Sequence, residues 1–253
     1  MTGSGRVRRP DRLVVVAGTG TDVGKTWVSA RLIELWRASG CRVMARKIAQ
    51  SFDPSQPPTD SQVLSAASGE DPNTVCSPEY SFETPMAPPM AADALGRPVP
   101  ELADLLGALS WPDDQPVETG GRLSPVIGLV ETAGGLCSPQ AGDGDALDVI
   151  AALLPDTVIL VGEAGLGTIN SVRLSLRALE PLATAGEGRC AVAVVLNRFD
   201  QRNALHRRNF AWLHQCCGLE MTTIVLPTLS GLARRIEDGA IGSSLAVSPM
   251  QAH

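Results

Sequence analysis

Gly18-Thr-Gly-Thr-Asp-Val-Gly-Lys-Thr26 stands between the apolar run Leu13-Val-Val-Val-Ala17 and a helical pattern, Trp27 to Ser39, in which Val28, Leu32, Leu35 and Trp36 share one face. A glycine-rich turn that joins a buried strand to an amphipathic helix and ends in Gly-Lys-Thr is a phosphate-binding loop. Backbone amides along Gly20, Thr21, Asp22, Val23 and Gly24, with the positive end of the helix, suit the phosphates of a nucleoside triphosphate. Lys25 reaches the β/γ oxygens, and the Thr26 hydroxyl is a ligand for Mg²⁺. The usual spacing puts glycine five residues before Gly24, where this chain has Thr19; glycine comes one residue earlier, at Gly18.

Outward from the loop, apolar β-runs alternate with helical patterns. Strands are predicted at Leu13 to Ala17, Arg42 to Ile48, Val126 to Glu131, Thr157 to Gly162, Ala191 to Leu196 and Thr223 to Leu226. Helices are predicted at Lys25 to Ser39, Asp60 to Ser68, Glu101 to Leu109, Ala146 to Leu154, Asn170 to Leu182, Gln201 to Cys217 and Gly231 to Glu237, with Thr84 to Pro89 a loop. Such alternation implies an α/β fold: a mostly parallel central sheet flanked by helices on both faces, in a single P-loop NTPase domain. The expected organisation is a flexible basic leader over residues 1–12 (Arg6, Arg8, Arg9, Arg12), the domain over 13–238, and a loose tail over 239–253.

With 253 residues, 44% hydrophobic and 4% aromatic, the chain suits one large domain with an aliphatic core. A formal net charge of −6 offers no general attraction for nucleic acid or anionic lipid, so neither is expected as a partner. Six cysteines without CxxC spacing fit reduced thiols, with Cys216-Cys217 read as helix packing, and His206, His214 and His253 form no metal pattern. No stretch approaches the roughly 20 apolar residues of a membrane span, and the N-terminus lacks a signal-peptide core, so a soluble cytoplasmic protein is expected.

In open parallel sheets ligands gather beyond the carboxyl ends of the strands. After the second strand comes Lys47, after the third comes Glu131-Thr-Ala-Gly-Gly135, and Asp60 opens the next helix. Thr26, Asp60 and Glu131 supply the oxygen ligands that Mg²⁺ prefers, and a lysine beside a triphosphate offsets charge in phosphoryl transfer. Each residue also has a structural reading: Lys47 a solvated strand end, Asp60 a helix cap, Glu131 an ion-pair partner.

Taken together, the loop, Lys47 with Ser51, Asp60, Pro85-Met-Ala-Pro-Pro-Met-Ala-Ala, Glu131-Thr-Ala-Gly-Gly135, Gly165-Leu-Gly-Thr-Ile-Asn170 and Asn197 resemble the dethiobiotin synthetase family from about Leu13 to Leu232. The resemblance implies an ATP-dependent cyclo-ligase that converts 7,8-diaminopelargonic acid, CO₂ and MgATP into dethiobiotin, ADP and phosphate. It implies catalytic roles for Lys25, Lys47 and Thr21, and Mg²⁺ on Thr26, Asp60 and Glu131. Asn197 and Pro227 would serve the nucleotide base, and Asp22 its sugar or the substrate. Substrate would meet Lys47 and Ser51, with its carboxylate on Gly167, Thr168 and Asn170 across a homodimer interface. Three positions depart from the family pattern: Ile48 replaces proline, Thr132 a glycine and Ser171 a histidine. A β-branched Thr132 is disfavoured if its φ is positive, which leaves open a divergent member with another substrate or weakened activity. Two rivals lie outside the family. A partition-type ATPase switch carries a lysine early in the loop, where this chain has Thr19 and Gly20; a glutamine-dependent amide ligase needs an amidase domain.

Overall fold

Val14, Val15 and Val16 are consecutive and all fully buried, although neighbours on a strand point to opposite faces, so both faces of the sheet are covered. The computed structural model describes residues 9–111, 117–119, 122–184, 190–217, 220–223 and 226–241; Arg6, Arg8 and residues 242–253 of the expected leader and tail lie outside them. The chain runs β1 (Arg12–Gly18), α1 (Lys25–Ala38), β2 (Arg42–Lys47), β3 (Gln50–Ser51), α2 (Asp60–Ser68), α3 (Pro72–Val75) and β4 (Ser81–Phe82). Next come α4 (Pro88–Ala94), α5 (Leu102–Gly107), β5 (Val117–Thr119), β6 (Arg122–Ser124), β7 (Val126–Glu131) and α6 (Ala146–Leu153). The last elements are β8 (Thr157–Glu163), α7 (Thr168–Thr184), β9 (Ala191–Asn197), α8 (Ala204–Cys217), β10 (Glu220–Thr223) and α9 (Leu226–Glu237).

Six strands form the main sheet in the order β10-β9-β8-β1-β7-β2. Every pairing in it is parallel. Alternate β1 side chains feed two cores. Leu13, Val15 and Ala17 join Val149 of α6, Leu176 of α7 and Leu213 of α8. Val14 and Val16 join Leu32 of α1, Leu64 of α2 and Leu232 of α9 on the other face. Trp36 locks α1 to α9, donating its indole N–H to the Ala233 carbonyl at 2.9 Å. All parallel strands end along one edge, and the loops leaving β1, β2 and β7 meet there.

Several boundaries differ from those expected. The edge strand is Glu220–Thr223 rather than Thr223 to Leu226, and Leu226 already opens α9. An edge strand has one neighbour and tolerates polar residues, so apolar content alone places it too late. Pro88 and Pro89 open helix α4 instead of closing a loop, because proline suits the first helical turn. Arg9 pairs with Asp156 at 3.2 Å and Arg12 begins β1, so ordered contacts start within the expected leader. All six cysteines are free thiols, and Cys137 is exposed.

Candidate active site

The loop's off-pattern glycine has a steric cause. A Cβ on Gly18 would lie 2.9 Å from the Gly20 carbonyl and 3.0 Å from Val23 Cγ2, whereas one on Gly20 would meet nothing. The chain folds back over Gly18, so glycine is needed there, and Thr19 is free to take a side chain. Gly24 enters α1 at φ 87, and a Cβ there would fall 2.0 Å from Asn197 Nδ2. Asn197 donates this amide to the Val23 carbonyl at 3.0 Å, so the end of β9 braces the loop from beneath.

The strand register then assembles the charged centre. Lys47 of β2 is the direct partner of Glu131 in β7, which sets both at the same level of the carboxyl edge. Lys47 Nζ lies 2.7 Å from Glu131 Oε1 and 2.7 Å from Asp60 Oδ2. Lys47 is only 3% exposed, so it is no solvated strand end. Nor does Asp60 cap its helix: Thr59 does, in a capping box with Gln62. Thr26 donates its hydroxyl toward Asp60 Oδ1 and Glu131 Oε1, each at 2.8 Å. Ser29, one turn along α1, binds Glu131 Oε2 at 2.6 Å. Sequence reasoning missed Ser29, whose only signal is its place on the buried helix face three residues after Thr26.

Charges in the centre hold one another. Burial works against the Lys47 ammonium, but the Asp60 and Glu131 carboxylates outweigh it and raise its pKa above the ordinary lysine value. The same ammonium, 2.7 Å away, holds the partly exposed Asp60 carboxyl below the usual range. Lys25 goes the other way: burial, then repulsion from Lys47, lowers its pKa to about 8. Its ammonium rests on the Gly20 and Gly134 carbonyls at 3.1 and 2.7 Å. One hydroxyl and two carboxylates from three elements form an all-oxygen set, which suits a hard divalent cation such as Mg²⁺.

Two adjoining cavities open over this centre. One, of about 560 Å³, is lined by Gly24, Lys25, Thr26, Lys47, Trp27 and Arg198 among others. The other, of about 580 Å³, is walled by Ser51, Phe52, Pro85, Met86, Pro88 and Ser138 among others. Thr21, Asp22 and Asp60 line both. The Ser51 hydroxyl is engaged by the Met86 carbonyl, which ties β3 to the turn before α4.

Other expected residues lie elsewhere. Gly167, Thr168 and Asn170 line neither cavity. Gly167 turns at φ 90 into α7, Asn170 is exposed, and the buried Thr168 Oγ1 has no hydrogen-bond partner among the described residues. Asn197 is 6% exposed and spends its amide on Val23. Pro227 is the second residue of α9, and its side chain lies outside the described residues.

The three departures are accommodated. Thr132 is fully buried and absent from the residues with positive φ, and its N–H donates to Val16 at 3.1 Å. Ile48 donates its N–H to the Glu131 carbonyl at 3.2 Å, a bond that proline cannot make. Ser171 turns its hydroxyl back to the Thr168 carbonyl at 3.2 Å.

Residues 12–232 match the family described as AAA domain. The ATP-dependent dethiobiotin synthetase BioD of Rhodococcus jostii (strain RHA1) is 32% identical over 232 residues, covering 92% of this chain and 93% of that protein. The enzyme of the same name from Anaeromyxobacter dehalogenans (strain 2CP-C) is 38% identical over 190 residues, or 74% and 77% of the two chains. A putative plasmid partition protein from Borrelia burgdorferi B31 bound to AMPPNP has a similar structure, with a TM-score of 0.50 over 91% of this chain and 98% of that one. Its sequence identity is 13%, so the likeness is one of fold alone.

Proposed function

The chain belongs to the ATP-dependent dethiobiotin synthetase family, and from that membership we propose that it closes the ureido ring of dethiobiotin from 7,8-diaminopelargonic acid and CO₂ in biotin biosynthesis, releasing ADP and phosphate. The observation that carries this reading is the meeting of Lys47, Asp60, Glu131 and Thr26 beside the phosphate-binding loop. A partition-type switch shares the fold, but Thr19 and Gly20 stand where its early lysine would be. Thr132, the departure that favoured a weakened enzyme, carries no left-handed backbone strain.

In this reading one substrate amine takes up CO₂ as a carbamate, whose oxygen attacks the γ-phosphate. The second amine then displaces phosphate from the mixed anhydride and closes the ring. ATP lies along residues 20–26, with Asn197 and Pro227 toward the base and Asp22 near the sugar. Thr26, Asp60 and Glu131 would hold Mg²⁺, which would offset charge on the β/γ oxygens. The raised pKa of Lys47 makes it a fixed positive charge rather than a base, suited to the carbamate and the moving phosphoryl group. Lys25 shares that task, and Thr21 and Ser51 face the substrate from the cavity that Met86 and Pro88 wall.

Gly167, Thr168 and Asn170 lie off the cavities, so in a homodimer they would receive the substrate carboxylate at an interface. The unpartnered Thr168 hydroxyl at the start of a 17-residue helix supports an anion there. Leu166, 92% exposed, and Leu174, 56% exposed, supply apolar surface for a second copy. No described helix is long and apolar enough to cross a membrane, and the protein acts in the cytoplasm in this account. Phosphate release from MgATP and bicarbonate, with and without the diamine, tests the reading. Release that depends on the diamine supports it, and diamine-independent hydrolysis refutes it.

A further inference from the structure

Gln140 has no exposed surface and lies outside both cavities. Its side-chain amide is spent on one turn. Oε1 accepts the Ala133 N–H at 2.8 Å, while Nε2 donates to the Ala133 carbonyl at 2.8 Å and to the Ser138 carbonyl at 2.9 Å. The amide thus pairs with Ala133 as a neighbouring strand would and ties the far end of the turn to it. Gln140 is itself anchored, its N–H donating to Gly144 at 2.9 Å ahead of α6.

The turn held this way is the wall opposite the phosphate-binding loop. Gly134, at φ 61, presents its carbonyl to Lys25 Nζ at 2.7 Å. Gly135 packs so close to the loop that an added Cβ would lie 3.3 Å from Gly20 Cα. The Gly135 N–H donates to Ser138 Oγ at 2.8 Å. A leucine would fill the volume of Gln140 but take the partner from two buried backbone groups of Ala133 and from the partly buried Ser138 carbonyl, so the turn would have to move to recover them.

We propose that Gln140 is a positioning residue for the reaction: it sets the Ala133–Ser138 turn, and through it the Gly134–Gly135 backbone and Lys25, against the triphosphate end of the site. This rests on the reading above, in which Lys25 shares with Lys47 the offsetting of charge on the transferring phosphoryl group. Gln140 touches no reactant. Its effect is the registration of groups that do, and displacement of such groups by about 1 Å costs on the order of 100-fold in rate.

The test uses the full chain with Gln140→Leu, and with Gln140→Met and Gln140→Glu in case the leucine variant does not fold. Three quantities are compared with wild type: amide hydrogen exchange across residues 131–138, Kd for MgATP by calorimetry, and kcat with the diamine. The proposal expects faster exchange confined to that segment, kcat lower by about 10- to 100-fold, and Kd for MgATP within about threefold. Gln140→Glu should behave alike, because its carboxylate would face two carbonyls. Unchanged exchange, or a kcat within about twofold of wild type in a folded variant, overturns it. If wild type forms no dethiobiotin, the family reading fails separately, and the exchange comparison still decides whether Gln140 holds the turn.

Discussion

Replacing Lys47 with methionine keeps much of the buried stem and removes the charge shared by Asp60 and Glu131. Lys47 is 3% exposed and Glu131 0%, so the variant strands a carboxylate that keeps Thr26 and Ser29 as its side-chain donors among the described residues. Breaking a buried pair from one side costs about 3–5 kcal/mol. The Asp60 side chain is 41% exposed, so its half of the interaction belongs to the screened range below about 1 kcal/mol. The expected loss is therefore near the lower end, about 3 kcal/mol, or roughly 6–12 °C in Tm for a chain of this size. Urea unfolding with a shared m-value measures it. Saturating Mg²⁺, at roughly 100 times its Kd, adds about 2.7 kcal/mol and should stabilise the variant more than wild type, where the ammonium competes for the same carboxylates. Turnover should fall by about two orders of magnitude or more while MgATP affinity is largely retained. A stability loss below about 1 kcal/mol, or unchanged turnover, would refute the role assigned to this buried charge.

Other expectations follow from single residues. Lys25, lowered to about 8, loses its charge above that pH in the free protein, whereas bound phosphates favour the charged form. Calorimetric affinity for MgATP should therefore be level near neutrality and fall by up to about tenfold per pH unit above it, and Lys25→Gln should lose the inflection. A flat wild-type profile through pH about 9.5 would contradict the shift. Gly24→Ala should weaken ATP binding severely, and removing Asn197 as well should relieve the clash but leave a loss of about 5- to 30-fold, the roughly 1–2 kcal/mol of the left-handed backbone. Thr132→Gly should destabilise by roughly 1 kcal/mol through added chain freedom, as judged by chemical unfolding; stabilisation would show that the native threonine is strained.

Much of this site was legible because its parts sit at strand ends. The apolar runs of β1, β7, β8 and β9 are buried on both faces, which makes them conspicuous in sequence. Lys47 and Glu131 could be placed after their strands, but their contact depends on a register that pairs β2 with β7 and sets β7 between β2 and β1. That order is a long-range property of the crossovers, which periodicity does not encode. Asp60 looked equally like a cap until Thr59 proved to fill that role. Ser29 and Gln140 stayed hidden because a buried serine on a helix and a glutamine in a loop have no spacing that marks them. The oddly placed glycine stands in the sequence itself, whereas its reason, the crowding of Gly18 by Gly20 and Val23, arises only where the folded loop turns back on itself.

The proposed reaction is ring closure with carbon from CO₂, driven by one phosphoryl transfer. Incubation with ¹³C-bicarbonate, MgATP and 7,8-diaminopelargonic acid, followed by mass spectrometry, tests it directly. The expected product is dethiobiotin carrying one labelled carbon in its ureido carbonyl, with one ADP and one phosphate formed per product. ATP consumption without labelled dethiobiotin would contradict it.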